Sequence, residues 1–379
     1  MEKILNYNVR EKSIITNCST EVIYTLKDFP IHMMKSINDF CVDLVFEIGE
    51  KDGFIQLRNT INSEDLYIDT HSNAIGKTWA GAHTIVAEII NQYCNNKCKV
   101  LEIGGATGRL NKIFCDMNGQ YLSWEIIEPQ PCPIEGCKAT FIKGFFPNSI
   151  SNKKYDIVVH THVIEQLEDI HSFIKAICKC IKIRGRMIFS LPDMAFLMKN
   201  NVTSILNFEH TILITEEYIN YLLNIYGFEI EEKTQYGNGH SLIYSTVFTG
   251  KKKQAIIPDD LYIKNKQMFM DYIQYHKHMI EKWNNKIIKT TKKIYLFGAH
   301  ISTQYFSAYG LNMDKIEALL DNDTSKQNKR VSGIEKDIYS PKILKNVENV
   351  VVIIPNNPYR EEIKEDILQN INQNVEFWE

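Results

Sequence analysis

The 379-residue chain lacks any long hydrophobic run: no stretch approaches the roughly 18 consecutive apolar residues that a bilayer-spanning helix requires. Its first residues, MEKILNYNVREK, lack the apolar centre of a secretory leader. Both absences point to a cytoplasmic protein without a membrane partner. Surplus positive charge is also missing, since 43 Lys and Arg face 46 Asp and Glu for a net charge of −3. Without a broad basic field, nucleic acid is excluded as the expected partner. The compact basic run at Lys251 to Lys253 reads as a solvated linker. The nine cysteines are odd in number and contain no C-x-x-C pair, which suits reduced thiols rather than a disulfide frame or a zinc knuckle. No heptad stripe or exposed apolar helix face stands out, so the oligomeric state stays open.

What the chain does have is a hydrophobic fraction of 44% and a charged fraction of 23%, as in an ordinary globular protein, and a length that suits two to three domains. Its most informative stretch is KVLEIGGATGRL, residues 99 to 110, an apolar strand running into a glycine turn and then a helix. Gly104 and Gly108 are four apart, with Gly105 between them, and do not fit the G-x-G-x-x-G that cradles a dinucleotide pyrophosphate. The spacing suits S-adenosylmethionine better, because that molecule has no phosphate and needs a bend free of side chains for its amino-acid end. Glu102 closes the strand below the turn. Glu128 ends the next apolar run, about 20 residues beyond Gly108, where a carboxylate is expected to hold ribose hydroxyls.

After Lys99 the pattern alternates strand and helix through YLSWEII, TFIKG, YDIVVHTHV, a helix from Ile170 to Ile181 and RMIFSLP, the rhythm of a doubly wound parallel sheet. A helix over Glu216 to Tyr226 stops at Gly227, and FEIEEKTQ and SLIYSTVFTG follow as an antiparallel pair. The fold class expected is therefore α/β: a class I methyltransferase Rossmann-like sheet with a second, smaller C-terminal α/β domain. Domain limits fall at 1–75, 76–250, a helical linker at 251–290, and 291–379. In the last part KKIYLFGAH, a helix over Ser302 to Tyr309, IEALLDND and VVVIIPNN repeat the strand–turn–helix rhythm. Residues 1 to 75 show no rhythm long enough to build a core and are expected to drape over the catalytic domain.

Three segments carry a family resemblance: THVIEQLED at Thr161 to Asp169, FEHT at Phe208 to Thr211, and the C-terminal YLFGAH, LLDNDTSKQ and VSG. Together they resemble the S-adenosylmethionine-dependent methyltransferases of nucleotide-linked sugars that install C-methyl branches. The resemblance implies a C-terminal Rossmann-like domain that helps hold the nucleotide-sugar, a base in Glu209 and His210, and Tyr67 and Asn73 in the sugar pocket. It also implies a degenerate N-terminal zinc module: FPI, EKDGFIQL and Leu66-Tyr67 fall in the family's order, but Glu50, Lys51 and Asp52 stand where it has paired cysteines. Four N or S ligands at fixed spacing are missing, so no structural zinc is expected. Asn207, Phe208 and Leu213 replace residues of the family's H-E-H region, two of them tyrosines that could stabilise an enolate.

On this reading O-methylation of a sugar hydroxyl, in a nucleotide-activated sugar destined for a surface polysaccharide such as capsule or O-antigen, comes first. The alternatives are C-methylation of a nucleotide-linked keto-sugar, a module that binds a sugar nucleotide without turnover and, disfavoured by the glycine spacing, a nicotinamide dehydrogenase. A hydroxyl is a weak acid, so its proton leaves either to a positioned histidine or under the influence of a divalent metal. His210 beside Glu209 is the expected base. His160 and His162, two apart on one strand end, share a face. With His210 they offer a ligand set for a metal such as iron or manganese, against the alternative of a metal-free hydrogen-bonded pair. His162 and Phe145 are further expected to border the cofactor. Trp79 and His83, four apart in TWAGAH, read as core positions of a covering helix.

Overall fold

The computed structural model describes residues 7–34, 39–66, 76–150, 152–203, 205–357 and 359–379. Among these, seven strands form the larger sheet in the order Phe228–Tyr236, Ser241–Phe248, Ile181–Leu191, Tyr155–Thr161, Lys99–Ile103, Ser123–Glu128, Thr140–Lys143. The last five are parallel, and Ser241–Phe248 runs antiparallel to both of its neighbours. The central strands are buried on both faces, so they read as near-continuous apolar runs such as Ile157, Val158 and Val159, all at or below 1% exposure. Helices cover them with one-sided stripes. In Ile170–Cys180 the buried residues Ile170, Phe173, Ile174 and Ile177 recur at helical spacing, and the Asp169 side chain caps the start by accepting from the Ser172 N–H at 2.9 Å.

Strand order reverses between Lys99–Ile103 and Tyr155–Thr161, and the crevice outside their carboxyl ends is where open α/β sheets take ligands. The expected α/β class, the antiparallel closing pair and the second α/β unit are all present. The second sheet has the all-parallel order Ile338–Tyr339, Ile316–Leu320, Lys293–Phe297, Val350–Ile353, Glu376–Trp378, with its own reversal between Lys293–Phe297 and Val350–Ile353.

The N-terminal segment departs from the expected drape. Thr20–Pro30, Cys41–Gly49 and Ile55–Leu57 form an antiparallel sheet. Leu44, Phe46 and Ile48, spaced by two, are fully buried. This face shares one hydrophobic core with the long helix Leu261–Lys289 and with the C-terminal sheet, and Phe46 meets Phe269 at 5.2 Å between ring centroids. The short period-two signal was hidden because the buried face packs against elements more than 200 residues away. Asp52, at a position where the resembled family carries cysteine, is buried and accepts hydrogen bonds from the Ser13 and Thr16 hydroxyls, each at 2.6 Å. A carboxylate thus ties the turn to the arm that precedes it.

Candidate active site

The glycine turn at residues 104–108 is built from backbone. Gly104 and Gly108 both adopt φ 73°, a left-handed conformation that costs an L side chain about 1–2 kcal/mol. A Cβ on Gly104 would stand 2.7 Å from Val163, and one on Gly108 would stand 2.3 Å from the Cys137 sulfur. The Gly104 N–H donates to the Ile127 carbonyl at 2.9 Å, which joins the bend to the neighbouring strand. Glu128 fastens the same bend from that strand's end, one carboxylate oxygen accepting from the Ala106 N–H at 2.9 Å and the other from the Gln130 N–H at 3.0 Å. Glu102 lies beneath the turn, where a Cβ on Gly105 would meet its carboxyl at 2.7 Å, and it accepts from the Trp124 indole at 2.8 Å. Burial pushes the Glu102 carboxyl up to about 7 against the opposing effect of that indole.

A cavity of about 600 Å³ opens above the turn, bordered by Glu102, Gly104, Gly105, Glu128, half-buried Phe145 and His162. Glu209 and His210 also border it. His300, Ile301 and Tyr359 close it from the second sheet, so the carboxyl edges of the two sheets face one another across it. Tyr67 and Asn73 lie outside the described residues.

His210 is oriented by backbone. Its Nδ1 donates to the Ile205 carbonyl at 2.8 Å, and the Asn207 side-chain oxygen accepts from the N–H groups of Glu209 and His210 at 2.8 and 3.0 Å. With the proton held on Nδ1, the neutral ring presents Nε2 as a proton acceptor. The loop carbonyl thus fixes the orientation of the ring. Phe208 and Leu213 point into the hydrophobic core, at 1% and 2% exposure, so neither contributes to the cavity.

The proposed metal set is not assembled. His160 is fully buried, stacked on Phe189 at 5.1 Å and edge-on to Phe173 at 5.3 Å, with no hydrogen-bond partner at either ring nitrogen. Burial lowers its pKa to about 3. His162 does reach the cavity, because its φ of 53° breaks the strand alternation that would have put both rings on one face. Among the described residues no group of three His, Cys, Asp or Glu side chains stands close enough to hold a metal ion.

Several cavity residues escaped sequence reasoning. Trp79 and His83 border it rather than filling a core; Trp79 meets His162 and His240 at 4.6 Å each. The Ser241 hydroxyl bridges His162 Nε2 at 2.9 Å and His240 Nδ1 at 2.8 Å. His240 sits in the loop before an antiparallel strand, so the beginning of that strand, rather than its end, lies at the ligand edge. Burial is the largest cause holding His83, His240 and His300 near 4 and His162 near 3, so these rings are neutral at pH 7. The Arg109 Nε and His83 Nδ1 are buried without a hydrogen-bond partner beside the glycine turn. A cradle that a Cβ would fill, with unpaired donors next to it, fits the amino-acid end of S-adenosylmethionine.

Residues 79–233 match a family model described as a methyltransferase domain, and residues 261–378 match one described as a C-methyltransferase C-terminal domain. Over 141 residues the chain is 22% identical to the malonyl-(acyl-carrier protein) O-methyltransferase of Priestia megaterium (strain DSM 319 / IMG 1521). That alignment takes in 36% of this chain and 49% of that protein, so the chain spans about half the length of the curated relative it matches. Among solved structures, the N-methyltransferase NodS from Bradyrhizobium japonicum WM9 aligns with a TM-score of 0.35 and 16% identity, covering 44% of this chain and 94% of that one. The glycopeptide N-methyltransferase MtfA, complexed with S-adenosylmethionine, aligns with a TM-score of 0.36 and 13% identity, covering 44% and 93%. No helix among the described residues is long and apolar enough to cross a membrane.

Proposed function

Since the chain is an S-adenosylmethionine-dependent methyltransferase carrying a C-methyltransferase C-terminal domain, we propose that it methylates a nucleotide-linked sugar at a carbon beside a ring carbonyl. The observation that carries this reading is His210: its Nδ1 is pinned to the Ile205 carbonyl, and its ring borders the same cavity as the glycine turn. The donor supplies an electrophilic methyl on a sulfonium. Gly104, Gly105 and Gly108 leave room for its amino-acid end, Arg109 and His83 pair with its carboxylate, Glu128 accepts from its ribose hydroxyls and Phe145 packs on its base.

His210 Nε2 takes the carbon-bound proton, and Glu209 beside it supplies a negative field that favours a proton arriving on the ring. His162, packed on Trp79, walls the passage between donor and acceptor. His300 and Tyr359 hold the nucleotide end from the second sheet.

Hydroxyl methylation is the second reading, favoured by the absence of a phenol at Asn207 and Leu213. The C-methyltransferase match over residues 261–378 supports the carbon reading, which is taken first. Incubation with S-adenosylmethionine and a panel of nucleoside diphosphate 4-keto-hexoses and their 4-hydroxy counterparts, followed by mass and proton NMR analysis, tests both. The expected product shows a methyl singlet on carbon. An O-methyl singlet, or no methylated sugar at all, overturns the carbon reading.

A further inference from the structure

Glu165 is the most deeply buried carboxyl bordering the cavity, at 1% exposure, and its Oε2 has no hydrogen-bond partner in the protein. It sits in a short turn of 3-10 helix, Ile164–Gln166, just beyond the central strand, and its backbone carbonyl accepts from the Ile212 N–H at 3.3 Å. That bond joins the turn to the loop bearing His210. The other oxygen, Oε1, lies 3.5 Å from His162 Nδ1, longer than a hydrogen bond. A buried polar group left unsatisfied costs about 1–3 kcal/mol, so this oxygen calls for a partner brought by a ligand.

Two observations favour a neutral form at and below pH 7. Burial, the largest influence, raises the carboxyl to about 7; His210 opposes this only when protonated, and Glu209 assists. The ring of His162, the nearest basic group, is held near 3 and does not take the proton at neutral pH. Those three side chains are the titratable groups that act on Glu165 from the strand end and from the facing loop. In the neutral form the carboxyl is a donor, able to give one O–H to an acceptor in the cavity.

We propose that the Glu165 carboxyl donates a hydrogen bond to the carbonyl oxygen of the keto-sugar while His210 Nε2 removes the proton from the adjacent carbon. This assignment rests on the carbon-methylation reading and gives Glu165 a catalytic role within it. As the C–H bond breaks, its electron pair moves into the ring and the carbonyl π pair moves onto oxygen, where the Glu165 O–H stabilises the charge. The carbon then attacks the sulfonium methyl, the S–CH3 bond breaks with its pair passing to sulfur, and the carbonyl re-forms. Glu165 keeps its proton throughout, and His210 ends with one to release to water. The donor supplied in other sites by a phenol is here supplied by a carboxylic acid on a different element.

The test separates donation from mere packing. Glu165→Gln keeps a neutral N–H donor of the same size, whereas Glu165→Ala removes it. With a nucleoside diphosphate 4-keto-6-deoxyhexose in D2O and no methyl donor, proton exchange at the carbon beside the carbonyl is expected to fall about 100-fold or more in the alanine variant, and to stay within about tenfold of wild type in the glutamine variant. Wild-type exchange should decline as pH rises past about 7, where the carboxyl ionises, and the glutamine variant should lack that decline. Difference infrared titration of the ligand-free protein reads the same group directly, as a protonated-carboxyl band that is lost in Glu165→Gln.

A carbon-methylated product with unimpaired exchange in Glu165→Ala overturns the role of Glu165 and leaves the carbon reading intact. So does the absence of a protonated-carboxyl band at neutral pH. An O-methylated product overturns both.

Discussion

The two α/β sheets bend their first strand into a helix in the same way, yet the acids that fasten the two bends stand in different surroundings. In the larger sheet the Gly104 N–H donates to Ile127, and Ala106 N–H and Gln130 N–H donate to Glu128. In the smaller one the Gly298 N–H donates to Leu320 at 2.7 Å, while Ala299 N–H and Asp323 N–H donate to Asp321 at 3.0 and 2.9 Å. The scaffold is shared: a glycine, an acid ending the next strand, and two backbone donors on its carboxylate. The differences lie around it. Asp321 is neutralised by Lys326 at 3.3 Å, and the Gly298 carbonyl accepts from the Thr303 hydroxyl at 2.6 Å. Glu128 has no cation at salt-bridge distance among the described residues. A strand–glycine–acid pattern is therefore a way of joining a strand to a helix, and on the proposed reading it becomes a donor site where no cation occupies its carboxylate.

Function should divide along that line. The largest expected effect comes from the two cavity histidines contributed by the two α/β units. His210→Ala should lower kcat for sugar methylation by about 100- to 10,000-fold, the usual worth of a general base, with S-adenosylhomocysteine affinity unchanged by calorimetry. His300→Ala should act on KM for the nucleotide-sugar instead. An equal loss of kcat in both would dissolve the division of labour. Next come the two acids. Glu128→Ala should weaken S-adenosylhomocysteine binding by roughly 10- to 100-fold, since hydrogen bonds to a charged group are worth about 1.5–3 kcal/mol. Asp321→Ala, which frees Lys326 and the Ala299 and Asp323 N–H groups far from the donor, should leave that affinity where it was.

The glycines give a smaller contrast. Gly104→Ala puts a methyl against Val163, so binding of S-adenosylhomocysteine should fall about tenfold, equivalent to about 1.4 kcal/mol. At Gly298 the nearest atom to an added Cβ is 3.8 Å away, and the penalty is confined to its φ of 103°. Gly298→Ala should lower Tm by a few degrees, read by calorimetry, with donor affinity intact.

The sequence exposed the part of the site carried by local pattern and hid the part made by distant pairing. The bend at Gly104 to Gly108 and Glu128 were legible because strand, turn and acid succeed one another at set intervals. His240 was not, since recognising it requires knowing that its strand runs antiparallel and so begins at the ligand edge. Trp79 and His83 read as core because helical spacing identifies a buried face without saying whether protein or ligand covers it. The N-terminal sheet was missed for a related reason: its alternation at Leu44, Phe46 and Ile48 acquires meaning only against Phe269 and the other core residues of the long helix.

His160 is where pattern misled, and its replacement should have the smallest effect on methyl transfer and the most diagnostic one on stability. Strand alternation paired it with His162, but the ring lies inside the larger sheet between Phe173 and Phe189, with both nitrogens unpaired. In the unfolded chain it takes a proton near pH 6.5, whereas in the fold it resists protonation until about pH 3. The unfolded state therefore binds more protons as pH falls through this window, and stability falls with it, by roughly 3 kcal/mol from this site between pH 6.5 and 4. Above pH 6.5 the ring is neutral in both states and the linkage vanishes. His160→Phe removes the titration and the two orphaned nitrogens, so thermal melts should show a small gain at pH 7.5 and a growing gain towards pH 5, with methyl transfer preserved. Loss of activity together with loss of bound iron or manganese would restore His160 to a metal site and break the contrast between its buried ring and the cavity-facing His162.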